Sequence, residues 1–330
     1  MKIITIEEHV NNREITAASW KDLLQMTPYI SDSHSPGLAY YTTNTDGNVE
    51  EKWLASMDAG KIDMQVLSYT AATQLIPAPE AISIAKAANN EMAERVRKYP
   101  DRFAAFATLP WADPKAAADE LERTVKELNF KGVLLSGRPA ADATFLDNPK
   151  FEPVLKMANF LKVPIYMHPG FPARTVQEAY YAGLDPVVSA RLSAFGWGWH
   201  AEVGVHMLRM ILAGVFEKYP DLQLIAGHWG EMVPFFLARL DEALSKEATH
   251  LPKTISETFI NHVYVTPSGM FTLPHFQFIL QVLGADRIIF SVDYPYIGNE
   301  SARAFLENAP ISASDKEKIA HGNAERLLKL

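Results

Sequence analysis

Two glutamates and a histidine close the first apolar run of this chain, and their spacing allows them to hold a cation. Lys2-Ile3-Ile4-Thr5-Ile6 is apolar and β-branched, and it runs directly into Glu7-Glu8-His9. Side chains alternate along a strand, so Glu7 and His9 emerge on one side and Glu8 on the other. A carboxylate and an imidazole sharing one side of a strand end can grip one cation. Taken alone, the same pair also reads as a solvated strand end. Three further stretches offer partners: Met167-His168-Pro169-Gly170, Gly227-His228-Trp229-Gly230-Glu231 and Ser291-Val292-Asp293-Tyr294-Pro295. Glu7, His9, His168 and Asp293 make a mixed oxygen and nitrogen ligand set that suits zinc, manganese or iron(II). Such a set leaves room for water or substrate, as a catalytic site needs. His228 and Glu231 suit a proton-transfer pair beside the cation. Glu231 reads equally as an acid in the first turn of a helix.

The elements that would position these residues follow a regular rhythm. Short apolar runs occur at 2–6, 64–68, 103–108, 132–135, 163–167, 223–226, 263–266 and 287–291. Helical patterns follow at 50–59, 81–98, 114–128, 151–161, 200–218, 232–246, 273–283 and about 314–328. Continuous apolar strands alternating with helices indicate a parallel sheet covered on both faces. Eight such units predict an α/β fold closed into a (β/α)8 TIM barrel, with chemistry at the C-terminal ends of the strands. An open doubly wound sheet is the alternative, but no glycine-rich fingerprint follows a strand, which removes its dinucleotide-binding form. Residues 1–330 read as one domain, with 11–48 a long polar and aromatic loop that could cover a site.

Composition excludes several functions. A net charge of −8 with no basic block argues against a nucleic-acid partner. No apolar stretch approaches the ~18 residues of a membrane span, and acids at Glu7 and Glu8 argue against a signal peptide. Cysteine is absent, so thiolate sites and cysteine nucleophiles are excluded. The expectation is a soluble, cytoplasmic protein. No G-x-S-x-G elbow or H-E-x-x-H pair is present. Glu202, His206 and Arg209 share one helix face and read as structural. His34, His250, His262, His275 and His321 have no comparable placement. Trp197 and Trp199 could wall a pocket for a flat substrate or pack over the barrel.

The chain resembles the amidohydrolase superfamily, in the branch of aminocarboxymuconate semialdehyde decarboxylase and the γ-resorcylate and 2,3-dihydroxybenzoate decarboxylases. The resemblance is carried by Glu7-Glu8-His9, by DAGKIDMQVLS at 58–68, by Met167-His168-Pro169 and by 214–220. It continues through 227–231, 286–295 and Asn323-Ala324-Glu325-Arg326-Leu327-Leu328. It implies a distorted barrel of the metal-dependent hydrolase type and one divalent cation, zinc or manganese, on Glu7, His9, His168 and Asp293. It also implies roles for His228 and Glu231 near the substrate, and a homodimer or homotetramer. The departures fall at Gly170-Phe171, where dihydroxybenzoate-acting relatives tend to carry a polar or basic residue. They recur at Tyr296-Ile297, where an acid is usual.

The expected activity is non-oxidative decarboxylation of a hydroxylated aromatic or related unsaturated carboxylate, with Asp293, His228 and Glu231 as catalytic residues. Metal-assisted hydrolysis of a lactone or amide would use the same ligands and is the alternative. A metal-stabilised barrel without turnover is a third reading.

Overall fold

Among the described residues, seven parallel strands form the frame, in two sheets. The first holds β1 (Ile4–Val10), β2 (Met64–Tyr69) and β3 (Phe103–Ala105). The second holds β4 (Val133–Ser136), β5 (Ile165–His168), β6 (Leu224–Ala226) and β7 (Val263–Val265). The computed structural model describes residues 1–30, 49–142 and 144–330.

Every residue of β1 is buried, as a strand covered on both faces requires. Isolated parallel bridges stand where the two sheets meet: Ala107 to Val133, Val265 to Ile288, and Glu8 to Tyr294. The architecture is therefore a (β/α)8 barrel whose ladders do not close continuously. The expected strand at 287–291 is the point of departure. Ala285–Arg287 is a 3-10 turn, and the chain beyond it touches β7 and β1 only through single bridges. Within the run the Ile289 N–H still donates to the Val265 carbonyl at 3.0 Å; past it, the Glu8 carboxylate accepts the N–H groups of Val292 and Tyr294.

Ile4, Ile6, Val66, Ala104, Phe106, Leu134, Tyr166, Ile225, Tyr264 and Ile289 pack together as the barrel interior. A larger apolar shell lies between strands and helices. Along β1 the register shifts between Thr5 and Glu8. Below this irregularity Ile4 and Ile6 join the interior; above it Glu7 and His9 join the polar cluster with His168 and Asp293. A bulge re-aims side chains in this way.

The outer helices largely match the expected pattern. Pro114–Leu128, for example, starts where the Asp113 side chain accepts the N–H groups of Lys115 and Ala116, and stops at left-handed Asn129. Four helices lie outside the sequence reading: Arg174–Tyr180, Pro186–Ser193, Ile255–His262 and Ala302–Asn308. A fifth corrects it. Part of the expected 11–48 loop is a helix, Arg13–Met26, capped by Asn12 and burying Ile15, Ser19 and Leu23 along one face. Serine in that stripe dilutes the apolar period, so pattern alone did not show it. Residues 31–48 of that segment, with His34, lie outside the described residues. No described helix is long and apolar enough to cross a membrane.

Candidate metal centre

Glu7, His9, His168 and Asp293 converge so that one ligand atom from each lies within 4.8 Å of all the others. They come from the ends of β1 and β5 and from the segment after Ile288. His9 Nε2 stands 3.1 Å from Asp293 Oδ1, and His168 Nε2 stands 3.9 Å from Glu7 Oε1. Ligand atoms bound about 2.1 Å from one ion lie roughly 3–4.2 Å apart; the 3.1 and 3.9 Å separations fall in that range, and the 4.8 Å limit on the others lies slightly outside it.

The surrounding bonds aim each ligand inward. Ser68 Oγ donates to the Glu8 carbonyl, so at 3.2 Å it accepts from His9 Nδ1. His168 Nδ1 lies 2.9 Å from the Pro169 carbonyl, which can only accept. Both imidazoles therefore carry their proton on Nδ1 and turn the Nε2 lone pair toward the cluster, as metal-binding histidines do. Burial, with His9 and His228 nearby, pushes His168 well below the usual imidazole range, which keeps it neutral.

Glu7 shows the fit to a cation most directly. Its Oε2 accepts from Thr266 at 3.1 Å, from Ser291 at 3.4 Å and from Ser268. Its Oε1 is buried and meets no hydrogen-bond donor among the described residues. A buried carboxylate oxygen without a donor is costly, and a cation between Glu7, His9, His168 and Asp293 would satisfy it. Burial pushes Glu7 up, against His228 and the Ser268 hydroxyl, which lower it. The backbone is also cut back to make room: a Cβ on Gly227 would stand 3.1 Å from Glu7 Oε1 and 2.6 Å from Ser268 Oγ.

Beside this cluster lies a second, His200, His228 and Glu231. The four residues His228, Trp229, Glu231 and Met232, and Gly230 between them, all have left-handed backbone, with φ of 48, 60, 52, 66 and 88° respectively. Left-handed backbone costs an L-residue roughly 1–2 kcal/mol, and it is normally visited singly. Such strain persists where the surroundings over-determine it, which is commonly at a functional site. Here the Trp229 N–H donates to the Thr266 carbonyl at 2.8 Å, the His228 N–H to Ser268 Oγ at 2.8 Å, and the Trp229 indole to Met270 at 2.9 Å. The expectation of Glu231 in the first turn of an ordinary helix is corrected: 228–231 is this strained turn.

Glu231 is buried, and each of its oxygens meets one imidazole: His228 Nδ1 at 2.7 Å and His200 Nδ1 at 2.7 Å. Burial favours its protonated form, but His228 and His200 outweigh that and hold it below the usual carboxylate range. Burial alone would lower His228; the carboxylates of Glu231, Glu7 and Asp293 reverse this and raise it to about 9.

Sequence reasoning missed His200, which stood only as the start of a helix; no spacing rule links it to a residue 31 positions away. It also missed the hydroxyls of Thr266, Ser268 and Ser291 on Glu7. The face of Glu202, His206 and Arg209 is structural, as expected. It meets Arg138 at 2.9 Å, the Leu146 N–H at 2.9 Å and Asp147 at 2.7 Å, fastening the segment after β4. The two tryptophans separate: Trp197 is half exposed, whereas Trp199 packs edge-on to Phe171 at 5.0 Å. Trp199 and Phe171 line a cleft with Trp20, Leu23, Met26, Ala71, Ser136 and His168. Its empty space is about 550 Å³, part of it open to solvent.

The family model described as amidohydrolase matches residues 25–330. The decarboxylase orsB of Emericella nidulans is 34% identical over 340 residues, covering 99% of this chain and 97% of its own. The gamma-resorcylate decarboxylase of Polaromonas sp. is 34% identical over 337 residues, covering 99% and 98%. A solved dihydroxybenzoic acid decarboxylase from Polaromonas sp., with bound manganese and the inhibitor 2-nitroresorcinol, has a TM-score of 0.86 at 34% identity, covering 100% of this chain and 97% of that one. A barrel with two carboxylates and two imidazoles gathered at its strand ends and a likeness that runs the length of the chain lead to one conclusion: the chain belongs to the amidohydrolase family, with the gamma-resorcylate decarboxylases among its relatives.

Proposed function

We propose that the protein is a metal-dependent, non-oxidative decarboxylase of a hydroxylated aromatic carboxylate. The observation that carries this reading is end-to-end likeness to decarboxylases in a chain whose strand ends gather Glu7, His9, His168 and Asp293. These four residues would hold one divalent cation, and two carboxylates with two imidazoles suit manganese or zinc. When bound, the cation supplies positive charge for the substrate carboxylate and a neighbouring hydroxyl.

The chain's own groups supply the proton. Asp293 delivers it to the ring carbon that carries the carboxylate, and His228, held in its charged form beside Glu231, replenishes Asp293. The protonated ring is no longer aromatic. The bond to the carboxylate carbon then breaks, its electron pair returns to the ring, and carbon dioxide leaves. Glu231 acts through His228, because both of its oxygens are engaged by imidazoles. Trp199 and Phe171, with their ring planes nearly perpendicular, provide an apolar wall next to His168. It would exclude water and fix the ring plane.

The test uses manganese-loaded protein and gamma-resorcylate (2,6-dihydroxybenzoate), the substrate named for its relatives. Carbon dioxide release that is lost in Asp293→Asn supports the reading. Release that survives in that variant assigns the proton to another group. A protein that opens lactones without releasing carbon dioxide is a hydrolase.

Self-association is part of the proposal. Tyr180, Leu184, Val187 and Val188, on two successive helices and the turn between them, expose 44–75% of their surface, an apolar face of the kind that marks interfaces. Sedimentation of the purified protein as a dimer or tetramer supports this; a monomer at micromolar concentration overturns it.

A further inference from the structure

We propose that His200 is a positioning residue: it clamps Glu231, and with it the left-handed turn at 228–232, so that His228 faces the cation ligands. The kinetic arm of its test rests on the decarboxylase reading; the spectroscopic arm does not.

Two residues on one face of the helix Gly198–Leu212 meet Glu231 at different points. His200 Nδ1 lies 2.7 Å from Glu231 Oε2. One turn further on, Gly204 sits so close that a Cβ there would stand 2.9 Å from the Glu231 carbonyl oxygen. The helix therefore holds both the side chain and the backbone of the same residue. His200 is itself fixed at its far end, because Nε2 stands 3.0 Å from the Phe195 carbonyl. A carbonyl only accepts, so this nitrogen bears hydrogen, and the ring acts as a strut between Phe195 and Glu231. The His200 and His228 rings meet at 4.4 Å, inclined by 62°, which leaves neither ring free to turn alone.

The load on this strut is the turn itself. Five successive left-handed residues would relax without fastening. The turn is tied on its β7 side by Thr266 and Ser268, and Ser268 also donates to Glu7. On its other side the side-chain tie is His200. Without it, Glu231 Oε2 is a buried carboxylate oxygen that has lost its imidazole partner, and Oε1 alone aligns His228.

His200→Ala and His200→Gln are compared with the wild type as full-length, metal-loaded proteins. With manganese and 2,6-dihydroxybenzoate, His200→Ala is expected to lower kcat at least tenfold, leaving KM within twofold and metal content unchanged. His200→Gln, which keeps an N–H for Glu231, is expected to regain part of that rate. In zinc-loaded protein, the low-field Nδ1–H resonance of His228, assigned by its loss in His228→Gln, is expected to shift or broaden in His200→Ala. A resonance that does not move overturns the proposal whatever the rate does, as does a rise in KM at constant kcat. If His200→Ala fails to fold, His200→Leu, which keeps the bulk without a donor for Glu231, is judged by the same criteria. If the wild type releases no carbon dioxide, the decarboxylase reading falls and the resonance alone decides the role of His200.

Discussion

The Glu8 carboxylate accepts the backbone N–H of Tyr294 at 2.9 Å, so a residue facing away from the cation ligands fixes the segment that bears one of them. Its other oxygen accepts from Val292 at 3.1 Å, and Asp293, with left-handed φ of 70°, is held between the two. Glu8→Gln exchanges one acceptor for a donor that faces an N–H. The expected outcome is a folded protein with cation affinity weakened about 10- to 100-fold, the usual effect of removing a group that orients a ligand. Competition with a chelator measures it. Unchanged affinity would mean that Asp293 is set by its neighbours in the chain.

Glu7 Oε1 is buried without a donor, so removing the cation is expected to cost stability as well as activity. Binding at a hundredfold excess over Kd contributes about 2.7 kcal/mol to the folded state. Chelator treatment should therefore lower Tm by several degrees, and manganese should restore both Tm and activity. In Glu7→Gln the shift in Tm on adding manganese should be much reduced. Calorimetry with and without metal reads this directly.

His206 makes the acid side of the stability profile steeper. Burial, with Arg138 and Arg209 nearby, lowers its imidazole to about 3, and its Nε2 accepts the Leu146 N–H at 2.9 Å. The folded value lies below the unfolded one, near 6.5, so a falling pH protonates the unfolded chain first. The stability this neutral imidazole allows is complete above about pH 6.5 and is lost toward pH 3, at up to ~1.4 kcal/mol per pH unit. His206→Gln keeps an acceptor without the titration. Its urea midpoint should fall less steeply between pH 6 and 4 than that of the wild type. Parallel curves would sink this account.

Trp199 meets Phe171 edge-on at 5.0 Å and lines the cleft beside His168. An aromatic contact of this kind is worth about 0.5–1.5 kcal/mol. Trp199→Ala is therefore expected to raise KM for 2,6-dihydroxybenzoate roughly 3- to 10-fold, with a smaller change in kcat. Steady-state kinetics on the manganese enzyme decides it. A fall in kcat alone would place Trp199 outside the substrate contact.

Much of the frame was legible in the sequence, because it depends on local pattern. Continuous apolar runs and the helices between them mark buried parallel strands wherever they occur. The period of two along β1 was enough to put Glu7 and His9 on one side and Glu8 on the other. His168 and Asp293 could be named because a barrel brings its strand ends to one rim. Other features were decided only by the tertiary structure, since they rest on contacts distant in sequence. The run at 287–291 and the segment after it meet β7 and β1 only at single bridges, Ile288 to Val265 and Tyr294 to Glu8, a pairing that no local pattern specifies. The turn at 228–232 is left-handed because Thr266, Ser268 and His200 hold it against its own preference. His200 joins the site through a helix whose face pattern shows only that it packs, not which carboxylate it meets. Sequence fixes which residues are able to do the chemistry; the packing of distant elements fixes which of them meet.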